Sequence, residues 1–129
     1  MMPHRRLLVL PALAALMLPA GAEPLGTMQD VGAKILSCWK PPAGVRNSVV
    51  SMRFSFKRDG SLVGPPRPTD INVAGDQDQR KQFIEAATKA IEQCTPVELA
   101  PDLAQGIGGQ VFTLQFATGD RKSQPVPSN

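Results

Sequence analysis

Residues Val49–Pro66 read VVSMRFSFKRDGSLVGPP, and this stretch decides the fold. Val50, Met52, Phe54 and Phe56 fall on one side of a strand. Val49, Ser51, Arg53, Ser55 and Lys57 fall on the other. A period of two with one polar side predicts a strand covered on one face only. Asp59-Gly60 is a hairpin signal, and Leu62-Val63 begins a return strand. Pro65, Pro66 and Pro68 cannot donate ladder hydrogen bonds, so the return strand is expected to be short or at an edge. Ile71 and Val73 mark a brief extended piece before Gly75. Arg53 and Lys57 read as a solvated sheet face, with contact to an acidic partner as the alternative.

Working outward, Thr27 precedes a helical pattern with Asp30 in its first turn. Met28, Val31, Ile35, Cys38 and Trp39 repeat at gaps that share one helical face. Pro41-Pro42 should stop this helix, predicted over Thr27–Lys40. Asp76 or Asp78 caps a second helix with a stripe of Phe83, Ala86, Ala87, Ala90, Ile91 and Cys94, and Thr95-Pro96 ends it. A loop is expected from Val97 to Gly109, then a last strand over Gln110–Ala117. Phe112, Leu114 and Phe116 share one of its faces. The order α-β-β-α-β predicts an α+β two-layer sandwich: a three-stranded antiparallel sheet with two helices on one face.

The ends of the chain read differently. Arg5 and Arg6, the apolar run Leu7–Leu18 and Ala20-Gly21-Ala22 form the pattern of a secretory signal peptide over residues 1–22. A retained membrane anchor is the alternative. Residues 23–118 would then form one domain, and 119–129, polar and ending in Pro-Val-Pro-Ser-Asn, a disordered tail. Export places the domain in the periplasm. Removing the signal takes away Arg5 and Arg6, so 14 basic residues become 12 against 11 acids, a net charge of +1. That charge, with no basic run interleaved with aromatics, gives no ground for a nucleic-acid partner.

Several catalytic chemistries drop out by subtraction, with carboxylate chemistry left open. The single histidine, His4, lies in the signal, and the chain has no tyrosine. The mature domain thus lacks a His base, a His metal ligand and a Ser-His pair. Two cysteines fall short of a four-ligand structural zinc site. Gly106-Ile107-Gly108-Gly109 lacks the spacing of a phosphate cradle. No enzyme, metal or small-molecule cofactor is expected. Cys38 and Cys94 end the two helices, and an even cysteine count in an exported domain predicts a disulfide between them. Two buried free thiols are the alternative. No C-x-x-C supports a redox role. Trp39 reads as core at a helix end, or as a partner anchor.

The strand-turn pattern Val50–Leu62, the helix Phe83–Cys94, the Thr95-Pro96 exit and the segment Cys38-Trp39-Lys40-Pro41-Pro42 together resemble the C-terminal domain of the TolA and TonB energy-transducing proteins. The resemblance implies binding of an envelope protein partner, by addition of a partner strand at a sheet edge. The edge expected to bind is Gln110, Val111, Phe112, Thr113, Leu114, Gln115 and Phe116, a run with neither proline nor charge. The alternatives are a membrane-tethered subunit of a transport system and a secreted domain that self-associates as a homodimer.

Overall fold

In a computed structural model, residues 23–119 and the backbone of 124–126 are described. The expected signal peptide lies outside the described residues. The architecture is α+β, with elements α1 (Met28–Leu36), β1 (Val49–Ser55), β2 (Arg67–Asn72), α2 (Gln77–Gln93), α3 (Pro101–Ile107), β3 (Val111–Ala117) and β4 (Gln124–Val126). The predicted three-stranded antiparallel sheet is present as β2-β1-β3, and the short β4 extends it beyond β3.

The Thr27 side chain accepts the Asp30 amide and starts α1. The helix ends at Leu36, earlier than the expected Lys40. Cys38 and Trp39 donate to Ile35 and Leu36 instead, each at 3.0 Å. This tightening of the last turn turns Cys38 toward α2 and Trp39 toward the sheet. Asp76 caps α2 through a reciprocal capping box with Gln79. The predicted stripe is its buried side, with Phe83, Ala87, Ala90 and Ile91 all enclosed.

At the opening stretch, Arg58-Asp59-Gly60 forms a three-residue loop. Lys57 accepts from Gly60 at 2.9 Å, and the Lys57 amide donates to Ser61 at 2.7 Å. Gly60 has φ +86°, the left-handed residue that such a loop requires. Asp59 accepts from the Ser61 amide and hydroxyl, which holds its carboxyl below the ordinary value of 3.8. The return strand begins as expected: Leu62 bridges Phe56, and the Val63 amide reaches the Ser55 carbonyl at 2.9 Å. Gly64-Pro65-Pro66 then interrupts it, and the main return strand is β2, later than the sequence suggested. Pro68 fits because β2 is an edge strand and its register on β1 shifts beside it, between Ser51↔Asp70 and Met52↔Pro68.

Two further expectations are corrected. The loop Val97–Gly109 contains α3, with Pro101 in its first turn and Ile107 buried. Within the tail expected to be disordered, Gln124–Val126 pairs with Gln115–Thr113 of β3. The core lies between the helices and one sheet face. Val31, Ile35, Val50, Met52, Phe56, Phe83, Ile91, Ile107 and Phe116 are fully enclosed. Trp39 meets Phe83 and Phe116 edge-on, with ring centres 5.3 and 5.2 Å apart. The Cys38–Cys94 disulfide is formed, its Cα atoms 6.1 Å apart, and joins the ends of α1 and α2.

Candidate functional site

The direction of each backbone group on β3 follows from its register. Thr118 donates its amide to the Ser48 carbonyl at 2.9 Å. The same register runs unbroken from Val49↔Ala117 to Ser55↔Val111. Alternation along an antiparallel ladder then sends the amides and carbonyls of Phe116, Leu114 and Phe112 to β1. Those of Val111, Thr113, Gln115 and Ala117 point away from β1, to the outer side of β3.

The outer side is partly occupied. Val126 lies opposite Thr113, and Gln124 opposite Gln115. Pro125 lies opposite Leu114, whose backbone groups are spent on β1, so its missing N–H costs the pairing nothing. The Trp39 indole donates to the Ala117 carbonyl at 3.1 Å, so Trp39 is both core packing and a cap on this edge. The outward groups of Val111 lie past the end of β4. Of the seven residues expected to bind a partner, Val111, Thr113 and Gln115 therefore carry the outer edge. Phe112, Leu114 and Phe116 share the core face of the sheet. Gln110 sits in the turn before the strand, its amide on the Ile107 carbonyl at 3.1 Å.

Each outer strand has a proline whose backbone nitrogen points away from its neighbouring strand. On β2, Asp70, Asn72 and Arg67 face the odd-numbered residues of β1, so Pro68 and Ile71 face outward. On β4 the outward residue is Pro125. An outward proline offers no N–H to an incoming strand. The sheet is thus blunted at both edges, and β3, a seven-residue strand without proline, is covered over Thr113–Gln115 by three described residues of its own chain.

On the sheet face opposite the helices lies a groove of about 340 Å³. Arg53, Ser55, Val63, Pro65, Arg67 and Val111 are among its walls. Arg53 and Arg67 are direct cross-strand partners. Sequence reading found Arg53 but missed Arg67 and Val63. Their juxtaposition depends on the two residues gained at Gly64–Pro66, and no local signal announces that shift. Among the described residues, no cluster of three or more His, Cys, Asp or Glu could hold a metal ion, and no helix is long and apolar enough to cross a membrane.

Neither the curated proteins nor the solved structures contain a match to this chain. One family does match, over residues 21–120, and it is not that of the TolA or TonB C-terminal domains. The resemblance to those domains is therefore corrected. What carried it was an amphipathic strand, a turn and an amphipathic helix in a common order, which packing demands of any two-layer α+β domain. With most of its length inside that match, the chain belongs to the family described as uncharacterised conserved protein UCP034077.

Proposed function

We propose that this chain is an exported, periplasmic protein-binding module that takes an extended segment of an envelope protein onto the outer edge of β3. The observation that carries the reading is the mismatch between β3 and its cover. β3 has seven residues with no charge and no proline, and among the described residues β4 pairs with three of them. A partner strand running from Val111 to Gln115 adds ladder bonds that β4 does not make. These are the outward N–H and C=O of Val111, each worth about 0.5–1.5 kcal/mol net, and they favour exchange of β4 for the longer strand. Export is supported by the pattern of residues 1–22 and by the disulfide, which persists in oxidising compartments.

The test is photo-crosslinking in cells that make the protein natively, with the crosslinking residue at Val111 in one variant and at Lys81, exposed on α2, in the other. A discrete protein adduct from Val111 and none from Lys81 supports the reading. Adducts of equal yield and identity from both positions refute it.

A further inference from the structure

We infer that the groove on the open sheet face is a second docking site, specific for an acidic, apolar-flanked segment of a partner protein. The inference does not depend on strand exchange at β3: the groove is an open sheet face walled by side chains, exchange uses the outward backbone of β3, and of the groove's walls Val111 alone belongs to that strand. Four observations converge on it.

Arg53 and Arg67 stand directly opposite one another on β1 and β2. Like charges in that position repel, and the sheet gains by placing an anion between them. Neither guanidinium has an ion pair among the described residues, and both side chains are exposed. Asp70 of β2 sits opposite Ser51 and does not line the groove.

The apolar walls are equally particular. Val63 is 53% exposed and Val111 42%, and they are the large apolar side chains left exposed among the described residues. Both line this groove. Val63 bonds the Ser55 carbonyl from one side of β1 and Val111 is the partner of Ser55 on the other, so both valines stand at the Ser55 end of the groove, next to the Arg53–Arg67 pair.

These features define the ligand's chemistry. Two guanidinium forks on neighbouring strands suit a carboxylate accepting from both. The apolar end beside the arginines suits an apolar side chain next to that carboxylate. The volume, near the lower end of the ~300–1,000 Å³ range of ligand pockets, admits a few side chains and not the broad plane of a bilayer.

The experiment is amide chemical-shift mapping of the full chain with two blocked hexapeptides, one alternating Glu with Leu and one alternating Gln with Leu. Anionic phosphatidylglycerol vesicles form a third arm. The acidic peptide should shift the amides of Arg53, Val63, Arg67 and Val111, and bind at least tenfold more tightly than the neutral one. Binding should weaken in high salt. The R53Q/R67Q variant should lose at least tenfold in affinity, and R53K/R67K should recover part of it. Equal affinity for the two peptides, shifts that map elsewhere, or a charge-dependent preference for vesicles over the acidic peptide would overturn the inference. The peptide and salt comparisons need only the unaltered chain, so a variant that fails to fold leaves them decisive.

Discussion

Removing the Cys38–Cys94 bridge should cost the domain a large share of its stability. The perturbation is the double substitution Cys38→Ala/Cys94→Ala. The bridge spans a sequence separation of 56 residues. In the chain-entropy treatment a loop of that length restricts the unfolded chain by about 4 kcal/mol. Packing adds little, because Cys94 is small and Cys38 only half-buried. A domain of this size has a net stability of roughly 5–15 kcal/mol. Four of those correspond to a fall in melting temperature of roughly 15–30 °C. Urea unfolding followed by circular dichroism checks the figure. The denaturant slope should also rise, since the unlinked chain exposes more surface on unfolding. Reductant should bring the unaltered protein to the same midpoint and leave the variant unmoved. A loss below about 1 kcal/mol, with no response of the native protein to reductant, would refute the reasoning.

Other outcomes follow from the same packing. Gly60 and Gly44 have φ of +86° and +82°, but a Cβ at Gly60 would collide with the Val97 backbone while one at Gly44 meets nothing within 4 Å. Gly44→Ala should therefore cost about 1 kcal/mol and Gly60→Ala at least twice that, read from urea midpoints. Arg67→Glu replaces a repulsive cross-strand pair with an attractive one and should stabilise the fold by about 0.5 kcal/mol at low salt, with the gain shrinking as salt rises. Trp39→Phe keeps an aromatic ring against Phe83 and Phe116 but removes the donor to the Ala117 carbonyl. It should cost about 1 kcal/mol in thermal unfolding.

The alternation of Val50, Met52, Phe54 and Phe56 was enough to place β1 and its buried face, because side-chain period is a local property. The stripe from Phe83 to Cys94 placed α2 for the same reason, and the disulfide followed from two cysteines at helix ends. What stayed hidden was set by long-range pairing. Pro68 pointed to the edge position that β2 takes, but the register shift beside it was not announced. Gln124–Val126 carries no strand pattern of its own, and its conformation depends on the outward amides of Thr113 and Gln115. α3 was missed because its seven residues are short for a periodic pattern and include Gly106, while Pro101 serves in its first turn. At the candidate site, strand β3 was legible. The residues that cover its edge, and the Arg67 that completes the groove, were not.

The central claim is that β3 receives a partner strand in place of β4, and competition between the two tests it most directly. The measurement is the yield of the partner crosslinked through Val111, compared between the full chain and a chain ending at Gly119, which lacks β4. The account predicts a higher yield from the shortened chain and a lost adduct when Thr113→Pro is added, because Thr113 then has no outward N–H to offer. An unchanged or lower yield without β4, or an adduct that survives Thr113→Pro, would contradict it.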